Sequence, residues 1–116
     1  MPKVLGIDPG LTRCGVGVVN FNNSRRAELI HVDVFKSAPT EELQVRIGSI
    51  GQKIRSLIES EQPHLIALER VFAQVNLKTV MGTAQISGVV LSLAHEFGIP
   101  VVMFTPTQVK AAVTGS

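Results

Sequence analysis

Two carboxylates stand where a carboxylate is costly. Asp8 closes the run Val4-Leu5-Gly6-Ile7 and is followed at once by Pro9-Gly10; Glu69 closes the run Leu65-Ile66-Ala67-Leu68. Short apolar runs bounded by turn residues read as buried strands, so each acid sits at the C-terminal end of a central strand. An ionised carboxylate in that setting needs a cation, a metal or hydrogen-bond donors. Taken singly, Asp8 can equally cap its turn through a side-chain oxygen, and Glu69 can pair with Arg70 or a nearby lysine. Taken together, the two repel unless one is protonated or a cation lies between them. Oxygen ligands of this kind suit Mg²⁺, with Mn²⁺ the alternative. Two-metal sites that cleave phosphodiesters hold their ions roughly 3.5–4 Å apart and usually draw on more than two carboxylates. The remaining acidic residues, Glu28, Asp33, Glu41, Glu42, Glu59, Glu61 and Glu96, fall on exposed helix or strand faces, so the sequence offers half of such a site.

The elements between these acids must bring them together. Residues 3–8 form a first strand and residues 14–21 a second, in which Gly15 and Gly17 leave backbone open near the Asp8 turn. Asn22-Asn23-Ser24 signals a hairpin. A third strand over residues 26–36 alternates Ile30, Val32 and Val34 with His31, Asp33 and Phe35, a half-exposed antiparallel pattern that turns His31 and Asp33 to solvent. Thr40 is the expected N-cap of a helix with Glu41 and Glu42 in its first turn. Leu43, Ile47, Ile50, Ile54, Leu57 and Ile58 make the buried stripe of that helix. After the Glu69 strand and a loop from Arg70 to Gln74, Asn76 caps a helix over residues 77–97 that is rich in small residues, which suits packing on the sheet or a close contact with another helix or subunit. Gly98 and Pro100 end it. Residues 101–104 form a fifth strand, and Thr105-Pro106-Thr107-Gln108 opens a third helix with a capping box.

Tight turns make the first three strands antiparallel, and helical crossovers make the later ones parallel. The expected fold class is therefore α/β: a mixed five-stranded sheet flanked by helices. With strands one and four as neighbours, Asp8 and Glu69 meet at the edge where open α/β sheets bind ligands.

Composition sets the frame. The 116 residues are 45% hydrophobic and 17% charged, a globular balance with enough apolar content for one modest core. A net charge of +2 is too slight to argue for nucleic acid without clustering of the cations. Cys14 is the only cysteine, which fits a reducing compartment and reads as a small core residue. His31, His64 and His95 lack metal-ligand spacing. The start of the chain has no signal-peptide pattern and no apolar stretch is expected to span a bilayer, so the expected location is the cytoplasm.

Four segments, in order, resemble the bacterial RuvC family of Holliday junction resolvases: Gly6-Ile7-Asp8-Pro9-Gly10 with Gly15 and Gly17, Ala67-Leu68-Glu69-Arg70-Val71-Phe72, Met81-Gly82-Thr83-Ala84-Gln85, and Thr105-Pro106-Thr107-Gln108-Val109-Lys110-Ala111-Ala112-Val113-Thr114-Gly115. The first alone is also similar to the YqgF family and, less closely, to the first phosphate loop of the actin and sugar-kinase ATPases. The four together are specific and span essentially the whole chain.

The resemblance implies an RNase H-like fold and a homodimer in which each subunit nicks one of two opposed strands of a four-way DNA junction. It also implies divalent metal (two ions in a complete site) and the branch-migration proteins RuvA and RuvB as partners in DNA recombination and repair. Asp8 and Glu69 fall on the family's first two metal-binding carboxylates. Phe72 falls on an aromatic that stacks near the junction centre, and Lys110 on a basic residue that holds the DNA backbone or the transition state. Arg13, Arg70 and Lys78 lie on the same expected edge, where cations position phosphates.

In the family, a Gly-rich basic loop and a further helix follow the position of Ser116, and a final helix supplies the last two carboxylates. Residues 1–116 are thus expected to be a RuvC nuclease domain lacking its C-terminal loop and helices, with apolar sheet surface left open. A reading of a different class is a non-catalytic junction-binding or dimerisation fragment with an incomplete metal site. A YqgF-like nuclease acting on RNA fits the two middle segments less well, and an actin-like ATPase fragment lacks a visible second phosphate loop.

Overall fold

In a computed structural model, which describes residues 2–22, 26–70 and 77–105, the elements run β1 (Lys3–Asp8), β2 (Arg13–Phe21), β3 (Ala27–Lys36), α1 (Leu43–Glu61), β4 (Leu65–Glu69), α2 (Leu77–Phe97) and β5 (Val101–Phe104). They form one sheet in the order β3-β2-β1-β4-β5. β1 pairs antiparallel with β2, and β2 with β3; β1 pairs parallel with β4, and β4 with β5. The mixed five-stranded sheet is the one that short turns followed by helical crossovers require.

Both helices pack on the same face. Leu5 and Ile7 of β1, Cys14, Val16 and Val18 of β2, and Ile66 and Leu68 of β4 are buried in one cluster with Ile50 and Ile54 of α1 and Ile86 and Val90 of α2. Strand side chains alternate between faces, so Val4, Gly6 and Asp8 point the other way. The helices approach closely at Gly51, where an added Cβ would stand 3.1 Å from Val89 Cγ1. Farther along, the Arg55 guanidinium donates to both Glu96 carboxylate oxygens at 2.6 and 2.9 Å and lies 5.7 Å over the Phe97 ring.

Three expectations about the elements need correction. First, α1 begins at Leu43 with Glu42 in the N-cap position and no side-chain cap. Glu41 instead accepts from the Ala38 N–H at 3.0 Å, which holds a turn ahead of the helix and takes Thr40 out of the capping position. Second, the buried stripe of α1 starts with Arg46, while Leu43 is half exposed. Third, the inward residue of β3 is Phe35, and Val32 and Val34 lie on the exposed side. Phe35 pairs with Cys14 and so shares the helix-covered face, whereas no described residue layers over the face that carries Val32. His31 and Asp33 are exposed as expected, 3.7 Å apart.

α2 also departs from the membrane expectation. Its 21 residues reach a mean hydropathy of 1.3, long and apolar enough to cross a membrane by length and composition. Gly82, Ile86, Ser87, Val90, Leu93 and Ala94 are nevertheless buried within the fold, and a helix laid along a central strand pair needs an apolar face over its whole length.

Candidate active site

Asp8 and Glu69 occupy one row across the sheet. Ile7 pairs with Leu68 in the parallel β1–β4 ladder, so the next residue of each strand stands beside the other. The antiparallel partner of Asp8 is Gly15, and beyond it Val34; the partner of Glu69 is Phe104. Gly15 adds no side chain, and a Cβ there would lie 3.6 Å from the Asp8 Cβ. The next row down, through Val32, Gly17, Gly6, Ala67 and Val102, is small at its centre. Two carboxylates therefore stand at the head of a shallow trough on the face opposite the helices.

The pair is strained electrostatically. Burial pushes the Glu69 carboxyl up to about 7, helped by its hydrogen bond to the Asp8 carboxyl and by the Asp8 charge. The pair takes up a proton at about 7, so at neutral pH about half of the molecules carry it. A divalent cation removes the same repulsion, so the donor set fits a hard, oxygen-seeking metal. No third His, Cys, Asp or Glu joins the pair among the described residues.

The turn after Asp8 is fastened to three elements. Ser37, just beyond β3, donates from Oγ to the Leu11 carbonyl at 2.5 Å and from its N–H to the Thr12 carbonyl at 3.2 Å. Arg46 of α1 donates from Nε to Ser37 Oγ and from Nη2 to Thr12 Oγ1, both at 3.0 Å. On the α2 side, Leu11 rests on Gly82, where a Cβ would come within 3.0 Å of the Leu11 Cβ. Within the turn, a Cβ on Gly10 would collide with the Arg13 carbonyl oxygen, so the position admits glycine alone without a shift of backbone. Cys14 is fully buried and its thiol is pushed up to about 11 by that burial, which makes it the inert core residue expected.

Of the other expected site residues, Arg13 and Lys78 are exposed and line the same cavity as Asp8, between the turn and the first turns of α1 and α2. Arg70 is exposed and does not line it; its N–H donates to the Phe104 carbonyl. Phe72, the Asn76 cap, Lys110 and the third helix lie outside the described residues. Sequence reasoning missed Arg46. Its signal was present: Arg46, Ile50, Ile54 and Ile58 share one helical face at intervals of four.

The comparisons with known proteins place the chain in a family and a fold. The family model described as "Crossover junction endodeoxyribonuclease RuvC" matches residues 4–116. A protein of that name from Clavibacter michiganensis is 54% identical over 113 residues, covering 97% of this chain and 56% of that protein. Another from Frankia casuarinae is 46% identical, covering 98% and 66%. The chain spans little more than half the length of several such relatives. Among solved structures, Thermus thermophilus RuvC in complex with Holliday junction substrate superposes with a TM-score of 0.91 at 34% identity, covering all of this chain and 70% of that one. The yeast mitochondrial Holliday junction resolvase Ydc2, with a TM-score of 0.68 at 18% identity, shares the fold alone. So does an exopolyphosphatase from Cytophaga hutchinsonii, at 0.54 and 13%; architecture by itself does not select the chemistry.

Proposed function

This chain belongs to the RuvC family, and on that premise we propose that it is the catalytic platform of a metal-dependent endonuclease that resolves four-way DNA junctions by paired nicks in opposed strands. The observation that carries the reading is the Asp8–Glu69 pair: two carboxyls side by side at the ends of neighbouring central strands, with Glu69 raised to about 7 by burial and by Asp8. Asp8 and Glu69 would hold the metal, Mg²⁺ or Mn²⁺, and two ions would complete the site. When bound, a divalent cation supplies charge neutralisation at the scissile phosphate and a water nucleophile at neutral pH.

The chain's own residues do the rest. Glu69 gives up its proton as the site fills. The fastened turn keeps Asp8 in place, so little reorganisation is needed when the phosphate arrives. Arg13 and Lys78 flank the Asp8 turn and would hold backbone phosphates, contacts that orient the DNA without reading its sequence; Arg70, next to Glu69, would act likewise. On the family resemblance, Lys110 would steady the backbone or the transition state, and Phe72 would stack on a base near the junction centre, a contact worth about 1–3 kcal/mol in single-strand binders. A homodimer presents two such sites to opposed strands. RuvA and RuvB would be its partners, in the cytoplasm.

A second reading is favoured by one observation: only two carboxylates cluster among the described residues. On that reading the 116 residues bind the junction or dimerise without cutting it. A gel assay on a synthetic four-way junction and a matched duplex separates the two. Paired nicks with Mg²⁺ in the junction alone support the endonuclease, and their loss in Asp8→Asn with binding retained supports the role of Asp8. Junction-selective binding without nicks supports the scaffold. Equal binding to junction and duplex would overturn both.

A further inference from the structure

The cavity beside Asp8 contains a charge that the fold does not neutralise. Arg46 is 8% exposed, and it lines a cavity of about 580 Å³ between the β1–β2 turn and the first turns of α1 and α2. Two of its N–H groups go to the hydroxyls of Ser37 and Thr12. Both partners are neutral, and no carboxylate pairs with it among the described residues. Guanidinium has five donors in a planar fork, and among the described residues only Ser37 and Thr12 take any of them. A buried charge with only neutral partners is costly, and removing its cost calls for an opposite charge.

The rest of the lining points the same way. Arg13 and Lys78 bring two more cations, and among the described lining residues Asp8 is the only acid. Thr12 accepts from Arg46 through Oγ1, which leaves its own O–H to donate. Thr83, on the α2 side, also lines the cavity, but its O–H donates to the Thr79 carbonyl at 3.0 Å and its hydroxyl is left only as an acceptor. Arginine forks and hydroxyls are the donors that match phosphate oxygens. Asp8 lines the cavity and also stands beside Glu69, which does not line it, so the cavity opens onto the carboxylate pair at the strand ends.

We propose that this cavity is a phosphate subsite with Arg46 as its floor, which takes a backbone phosphate of the bound DNA strand other than the one being cut. A DNA strand crossing the strand ends would then be held by Arg46, Arg13 and Lys78 and presented to Asp8 and Glu69. The inference rests on the DNA-cutting reading and adds to it a contact that the sequence did not indicate.

The test compares the unmodified chain with Arg46→Met and Arg46→Lys for binding to a synthetic four-way junction in chelator, over a range of salt. Loss of one phosphate contact lowers the slope of log affinity against log salt by about 1 and weakens binding about tenfold at low salt. Arg46→Met should show both losses. Arg46→Lys, which keeps the charge but not the fork to Ser37 and Thr12, should keep the slope. A folded Arg46→Met with the unmodified slope would overturn the subsite and leave Arg46 as a brace for the turn alone.

Should Arg46→Met fail to fold, the unmodified chain is titrated with inorganic phosphate and, separately, with a thymidine dinucleotide, and followed by ¹⁵N-resolved NMR. Shifts at the Thr12 amide, the Arg46 Nε and the Lys78 and Thr83 amides with the dinucleotide support the subsite. Shifts with inorganic phosphate alone reduce it to a free-anion site and overturn the DNA contact, and no shifts with either overturn the subsite altogether. If the unmodified chain binds no junction, the DNA-cutting reading fails, and the phosphate titration still judges the cavity.

Discussion

The carboxyls of Asp8 and Glu69 stand side by side at the ends of two parallel strands, and burial, followed by the Asp8 carboxyl, raises Glu69 to about 7. A proton thus takes the place of a cation, and proton and cation compete for one site.

That competition sets the pH dependence of metal binding. A divalent ion needs both carboxylates ionised, so below pH 7 its binding must expel the proton of the pair. Mg²⁺ affinity should rise by up to about tenfold per pH unit towards 7 and then level off. Calorimetric titration in two buffers of different ionisation enthalpy measures the proton release directly. An affinity flat from pH 5.5 to 8, with no proton released, would contradict the raised Glu69 carboxyl.

The same shift bears on the stability of the metal-free chain. Glu69 binds its proton more firmly in the fold than at its ordinary value of 4.5, with the folded value at about 7. Between those values the folded state carries more protons than the unfolded one, so stability falls as pH rises through that window and is unaffected by this group below it. Urea midpoints from pH 4 to 8 should decline accordingly. In Asp8→Asn the decline should shrink without vanishing, because the charge of Asp8 is gone while the burial of Glu69 remains.

The Leu11–Gly82 contact predicts different outcomes for two alanine substitutions in helix interiors. Gly48 of α1 has open space around its missing Cβ, so Gly48→Ala should stabilise by about 0.5–1 kcal/mol. Gly82→Ala should forfeit that gain, since the new Cβ meets Leu11 at 3.0 Å. Gly82→Val should destabilise by about 1–3 kcal/mol through overpacking. Chemical denaturation of the three variants checks the ordering; equal effects at Gly48 and Gly82 would mean that the turn is not seated on α2.

The reversed face of β3 can be tested in the same way. Phe35 is 9% exposed and Val32 62%. Phe35→Ala should cost about 3–5 kcal/mol, and Val32→Lys should stay within about 0.5 kcal/mol of the parent. A charged residue there also guards an exposed edge strand against pairing with another chain. A large loss with Val32→Lys would place that side chain in a covered face.

Much of this protein is encoded locally. The runs ending in Asp8 and Glu69 declare short buried strands by their composition and their stops. Gly98, with φ at 66°, ends α2, where the sequence places a helix stop. The spacing of Ile50, Ile54, Leu57 and Ile58 declares which side of α1 is inward. Connection lengths alone make β1–β3 antiparallel and β4 and β5 parallel, and that topology already brings the two acids to adjacent strand ends. These are properties of a residue and its near neighbours along the chain, and a pattern can carry them.

What the tertiary structure decided is which faces are covered and by what. The alternation in β3 shows two faces but not which one meets a helix; packing beside Cys14 turned Phe35 inward and left Val32 in the open. Arg46 has the spacing of a core residue and the chemistry of a surface one, and only the hydroxyls of Thr12 and Ser37, 34 and 9 positions away, make its burial tolerable. The raised Glu69 carboxyl likewise arises only once residues 61 positions apart in the sequence stand side by side. Burial, hydrogen bonding and charge interaction act through space, and they appear only when the chain has closed on itself.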